Sequence, residues 1–396
     1  MRTLALLLAA ATALAQSAPQ TLPSHTAESL RGVSAVSRQI AWASGTHGTY
    51  LRTTDRRIWI PDQVPGAESL DFRAVVAFSA DEAFLMSAGP GDQSRIYHTT
   101  DRGRHWQLQF TNTNPKGFFD SMVFWDPTHG IVLGDPIPDD TSKNKDTGKL
   151  KFELLITTDG QTWTPIPPSQ LPPAVEGEGA FAASNTCIAI LPKLVIPSEA
   201  RDLGLPNASH AADTSAAPPQ PLEKNGASAP DPNIWFATGG RAARVFHSPD
   251  RGQTWQVFDT PITHGPDSAG IFSIAFRDST HGVIAGGDYK HPGQDGPNLA
   301  FTNDGGKTWT LSQIFPQSYY SAVTYDRKTT TNRNKDEARD RLFLVGPKFI
   351  YDFRPPQNPT RISPNKKSDL QFNALSPYPT GGALVVGPKG SIATIP

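Results

Sequence analysis

The sequence predicts an all-β fold, a β-propeller of four-stranded antiparallel blades, most economically seven of them. Three observations carry this expectation. A short box recurs four times, as 98–106, 157–163, 248–255 and 302–309, with a worn fifth copy at 53–59. Its tryptophans, Trp59, Trp106, Trp163, Trp255 and Trp309, are separated by 47, 57, 92 and 54 residues, and a repeat of this period is built from copies of one supersecondary unit. Between boxes the chain shows short runs rich in Val, Ile, Phe and Leu broken by Gly, Pro and Asp clusters, the pattern of strands and turns.

The outlying gap contains Pro192 to Pro232, 41 residues with eight prolines among Ser, Ala, Asn and Asp. Such a composition does not bury enough apolar surface to offset the entropy of ordering, so 192–232 reads as a disordered insertion in the fourth unit, and removing it restores a spacing of 51.

The units fall at 29–63, 66–112, 117–168, 175–260, 265–317, 318–364 and 369–396. In the third, Phe119–Phe124, Gly130–Gly134 and Lys151–Thr157 precede the box and 163–166 follows it, four strands as in a propeller blade. The last unit holds only three, and the segment from Gln20 to His25 is expected to supply the fourth and close the ring. No window of helical length sustains a 3.6-residue period; the charged stretch from Lys335 to Arg341 allows a short surface helix at most.

Each residue of the box has a mechanical role. Ser or Thr ends the third strand, Asp55, Asp101, Asp159, Asp250 or Asp304 accepts backbone N–H groups of a tight turn, and Gly103, Gly252 or Gly306 takes positive φ. Trp then begins the fourth strand with its indole buried against a neighbouring unit. In the copies at 55 and 159 Asp precedes Trp by four residues rather than five, which implies a tighter turn.

The 396 residues carry 36 Lys+Arg against 37 Asp+Glu, a net charge of −1, so no overall field draws nucleic acid or an acidic membrane surface. Met1-Arg2-Thr3, an apolar run from Leu4 to Ala15, and Ala13-Leu14-Ala15 before Gln16 form the three parts of a secretory signal over 1–15. The run is too short for a permanent span of about 20 residues. The expected mature chain, 16–396, is one propeller domain, a monomer without a stable membrane anchor, periplasmic or secreted. Its lone Cys187 cannot form an internal bridge and reads as a small buried residue.

With its alternation of strands ending in Gly, the box is identified as the Asp-box, or bacterial neuraminidase repeat. Over nearly the whole mature chain the pattern further resembles the photosystem II stability/assembly factor-like propellers, whose non-photosynthetic bacterial relatives are often labelled oxidoreductase. The residues carrying this resemblance are 124–130 through Gly134, 276–282 through Gly286, and Gly239-Gly240-Arg241. It implies a partner that is a membrane-protein assembly intermediate and an arginine-rich surface patch, for which Arg31, Arg73, Arg241 and Arg244 are the nearest candidates.

Loops joining third to fourth strands lie on one face of a propeller, so the boxes, and the Thr-His-Gly turns at His129 and His281, belong to what we call the lower face. The starts of the innermost strands lie at the upper face: Arg31, Arg73, Asp120, Glu178, Ser273, Ser321 and Asn373. Second-to-third-strand loops add Asp92, Asp135, Arg241, Arg244, Asp288, Tyr289 and His291. Polar groups at the mouth of an apolar-walled channel either solvate a water-filled hole or bind a ligand.

Sialidase chemistry asks for three converging arginines, a Tyr activated by Glu, and an acid Asp; the Phe-Arg-Ile-Pro segment that usually accompanies them is absent. No Gly-x-Gly-x-x-Gly, Cys-x-x-Cys or Cys-x-x-Cys-His supports an oxidoreductase. No catalytic residue, cofactor or metal ligand is assigned. The expected function is a secreted, non-catalytic scaffold binding a protein or carbohydrate partner on its upper face, with a glycoside hydrolase, or an oxidoreductase using a cofactor at the channel mouth, as the alternatives.

Overall fold

The computed structural model describes residues 19–138, 149–191, 231–314, 318–327, 341–347, 349–354, 359–362 and 371–396. The expected signal at 1–15, nearly all of the insertion, and the 335–340 stretch lie outside them. Among the described residues the strands form seven antiparallel sheets, a seven-bladed propeller.

Blade 1 is Leu30–Ala35, Ala41–Gly45, Thr49–Thr53 and Ile60–Gln63. Blade 2 is Phe72–Ala77, Ala83–Ser87, Arg95–Thr99 and Gln107–Thr111. Blade 3 is Phe119–Asp126, His129–Pro138, Leu150–Thr157 and Thr164–Pro165. Blade 4 is Ile188–Ile190, Ile234–Ala237, Arg244–Ser248 and Gln256–Asp259. Blade 5 is Ala269–Phe276, Gly282–Asp288, Leu299–Thr302 and Thr310–Leu311. Blade 6 is Ala322–Tyr325, Leu342–Gly346, Phe349–Phe353 and Thr360–Arg361. Blade 7 is Ala374–Pro377, Ala383–Gly387 and Ser391–Ile395, and its outermost strand is Gln20–Leu22, paired Gln20 to Thr394 and Leu22 to Ile392.

The core is divided into seven apolar clusters, each lying between two neighbouring blades. A sheet with two apolar faces is buried only when a second sheet covers each, so every blade depends on both neighbours. Between blades 4 and 5, Trp235 stacks on Phe276 at 3.7 Å and on His247 at 5.1 Å. Near the axis, serine hydroxyls tie one inner strand to the next: Ser376 takes the N–H of Ala35, Ser34 that of Ala77, and Ser273 that of Val323, at 3.0, 3.0 and 2.9 Å.

The boxes fold as their residue types require. In the copy at 250 the Asp250 carboxylate accepts from Ser248 Oγ at 2.9 Å, Thr254 N at 2.8 Å and Thr254 Oγ1 at 2.6 Å, while Gly252 N donates to Ser248 Oγ. Five-residue copies place two successive residues at positive φ: Arg102 and Gly103, Arg251 and Gly252, Gly305 and Gly306. The shorter copies place one there, Arg56 or Gly160. The deletion thus removes a single left-handed residue and keeps the carboxylate-held corner. Each box tryptophan enters the cluster between its own blade and the preceding one, as Trp163 does edge-on to Phe124.

Candidate functional site

The upper opening of the ring is crossed by the segment leading into blade 4. Glu178–Gly179 is not the innermost strand of that blade, as the sequence suggested, but pairs with Gly239–Gly240, which pairs through Gly239 with Gly270 and extends the sheet of blade 5. The sequence reading failed here because an apolar run at Ile188–Ile190, after the turn, fills the inner position. From Gly179 the chain passes over the mouth and touches both sides of the ring. Ala180 N donates to Asp135 of blade 3 at 2.9 Å, Ala182 O accepts from Arg73 Nη1 of blade 2 at 3.2 Å, and Ser184 Oγ donates to Ser321 O of blade 6 at 2.7 Å. Asn185 then fastens the segment to blade 3, accepting from Met122 N at 2.7 Å and donating to Met122 O at 3.0 Å.

The expected open channel mouth is therefore capped, and the polar residues beneath serve the cap. Arg31, Arg73 and Asp120 each occupy a β-bulge, one extra residue at the start of the innermost strand, a device that re-aims a side chain. In blade 5 the bulged residue is Phe272, not Ser273; Ser273 is part of the serine ties. Arg73 is held by Asp71 at 2.8 Å as well as by Ala182. Asp120 is 1 % exposed; burial pushes its carboxyl well up, the Asp135 charge adds to this, and Arg73 and the Ala182 amide oppose it. Burial likewise raises Asp135 to about 6, and lowers the Arg31 guanidinium, because each charged form loses solvation.

Beside these groups lies an aromatic cluster of which the sequence reading named only Tyr289. Phe181, at the centre of the crossing segment, stacks on Phe272 at 3.9 Å, and Phe272 meets Tyr319 at 4.7 Å and Tyr289 at 6.2 Å, both edge-on. Tyr319 and Phe272 are buried, whereas Tyr289 is 48 % exposed. The available signal was Phe181 standing alone in a Gly- and Ala-rich stretch from 177 to 183.

The remaining predicted residues divide into braced and exposed. Glu178, wholly buried at its side chain, is paired with Arg244 and accepts from Thr238 Oγ1 at 2.6 Å and Val175 N at 2.9 Å, a closed arrangement. Asp288 accepts from Lys290 N and His291 Nδ1 at 2.9 and 2.8 Å, a turn whose hydrogen bonds hold the carboxyl low against the opposing effect of burial. Arg241 and Asp92 are exposed on the upper loops, Asp92 facing Arg95 at 3.8 Å. Asn373 donates to Leu30 O at 2.9 Å.

On the lower face, His129 and His281 sit in matching turns, their Nδ1 atoms 2.9 Å from Asp126 and Asp278. Cys187 is buried, which pushes its thiol up. Among the described residues no three His, Cys, Asp or Glu side chains converge as a metal would require, and no helix is long and apolar enough to cross a membrane.

Fold and upper face together define a capped seven-bladed β-propeller. No protein-family model and no curated protein matches the sequence. Among solved structures the chain is similar to YCF48 bound to D1 peptide, with a TM-score of 0.58 and 13 % identity over 97 % of this chain and 98 % of that one. It is similar to YCF48 from Cyanidioschyzon merolae, with a TM-score of 0.54 and 15 % identity over 96 % and 98 %. The GH74 xyloglucanase from Xanthomonas campestris has a TM-score of 0.55 and 14 % identity over 95 % of this chain but 53 % of its own length. At these identities the likeness is one of fold.

Proposed function

We propose that this chain is a secreted, non-catalytic propeller that binds a protein partner on its upper face. The observation that carries the reading is the exposure of Tyr289, Lys290, His291 and Arg241 on the upper loops, with Tyr289 edge-on to the buried Phe272. Aromatic and arginine side chains on a rigid support are the residue types that anchor protein interfaces. A ring of the same extent, YCF48, has been seen with a D1 peptide, which supports a peptide-bearing partner here. Secretion rests on the leader-like sequence at 1–15.

A glycosidase needs its acid and base to reach the scissile bond. The carboxyls nearest the channel are the reverse, Asp120 being sealed and Asp135 held by a backbone amide. The test compares immobilised wild type with Arg241→Ala/Tyr289→Ala against an envelope extract, with a glycoside-hydrolysis screen alongside. The expected outcome is one protein retained by wild type and lost by the variant, at an unchanged melting temperature. Equal retention by both, or turnover of a glycoside, overturns the reading.

A further inference from the structure

The crossing segment is held as a groove holds a peptide. Glu178–Gly179 adds an antiparallel strand to Gly239–Gly240, the Ala180 and Ala182 amides turn to Asp135 and Asp120, and the Ala182 carbonyl takes Arg73. Main-chain pairing of this kind gives affinity, and pockets for individual side chains give specificity. In the described crossing segment Phe181 occupies such a pocket. The Phe181 ring lies on Phe272, in a notch that exists because Gly239 and Gly270 have no side chains: a Cβ on Gly239 would stand 2.2 Å from Phe181 Cε2, and one on Gly270 3.0 Å.

Beneath this occupant lie polar atoms that no protein group meets. Arg31 Nε, Asp71 Oδ1 and Asp120 Oδ2 are buried without a hydrogen-bond partner, and all three residues neighbour Arg73. A buried polar atom left unmet costs free energy that a better-matched occupant recovers. The segment is also fastened outside this stretch, at Glu178 by Arg244 and at Asn185 by Met122.

We propose that the upper face is a receptor site for an extended peptide strand carrying an aromatic side chain between small residues, and that residues 179–183 of the chain occupy it as an internal ligand. This rests on the reading of the upper face as a protein-binding surface and names the partner's recognised chemistry. Because a tethered ligand acts at an effective concentration on the order of millimolar, an external peptide gains the site readily only when Phe181 is removed.

The probe is a fluorescent octapeptide with the sequence of residues 177–184, compared with one whose Phe is replaced by Ala. Phe181→Ala protein is expected to bind the first peptide at least tenfold more tightly than wild type does, and at least tenfold more tightly than it binds the control. Adding Gly239→Ala, which fills the notch, removes the binding. A folded Phe181→Ala variant that does not distinguish the peptides overturns the proposal. Should that variant fail to fold, amide exchange on wild type decides: residues 179–183 are expected to exchange at least tenfold faster than Ala269–Phe276, and equal protection overturns the proposal. Peptide binding by Phe181→Ala is read without the native partner, so it fails or succeeds separately from the retention experiment on Arg241 and Tyr289.

Discussion

The two faces of the ring use the same side chain in opposite ways. On the lower face, the box aspartates stand at the surface and are surrounded by N–H groups: His105 N and its ring hold Asp101 down to about 2, and Thr162 and Gln161 amides do the same for Asp159. On the upper face, Asp120 and Asp135 are buried under a crossing segment that supplies each with a single amide, and burial raises both. What separates them is the number of donors delivered per unit of solvation lost. A turn brings several donors to one carboxylate for a small loss, whereas the cap brings one donor for a large loss.

The largest effect that sharpens this contrast is expected from an upper-face carboxylate that, unlike Asp120 and Asp135, is fully matched. Glu178→Ala leaves the Arg244 guanidinium, 13 % exposed at its side chain, without its ion partner, and should cost about 3 kcal/mol; denaturant midpoints at constant m-value measure it, and a loss below 1 kcal/mol would mean that the pair does not hold the cap. Next, Asp250→Ala removes the carboxylate that holds Ser248 and Thr254, with an expected loss of about 1–2 kcal/mol; a neutral shift would show that the corner stands without it. Asp120→Asn should do the reverse at pH 7.5, raising the melting temperature slightly, since a neutral amide folds without either desolvating a charge or taking up a proton. A fall on that substitution breaks the comparison.

The smallest effect is a difference in pH response. Carboxyls depressed to about 2 at Asp101, Asp159 and Asp304 contribute stability above the ordinary value of 3.8, and that contribution is lost as pH falls toward 2. Asp135, raised to about 6, contributes through its protonated form below 3.8, and that contribution is lost as pH rises through 6. Wild type should therefore lose stability in both directions from about pH 4, and Asp135→Asn should make the limb between pH 4 and 6 shallower, leaving the part that Asp120, also raised by burial, contributes. A profile in which the variant flattens the acid limb instead would assign the titration to the wrong face.

The ring and its lower face were legible in the sequence because they follow from local rules. The box fixes turn chemistry within nine residues, and the strand runs around it repeat, so the blades and the closing strand at Gln20 could be placed from the repeat, the inner strand of blade 4 excepted. The cap was not legible, because it depends on contacts far apart in the chain, such as Arg73 with Ala182 and Ser184 with Ser321. Nothing in the local pattern at 177–183 distinguishes a strand entering the axis from one lying across it. Arg73, expected to be available to a partner, is occupied for the same reason.

The pairing of Gln20–Leu22 with Ser391–Ile395 sets the order in which the molecule is completed. During synthesis this strand, the first among the described residues, is made long before its neighbour, so it waits unpaired until Ser391–Ile395 has emerged. An unpaired edge is open to addition by strands of other chains. Nascent copies are consequently most prone to cross-pairing just before the final hairpin appears, and a shortened chain lacking it would favour assemblies over closed rings.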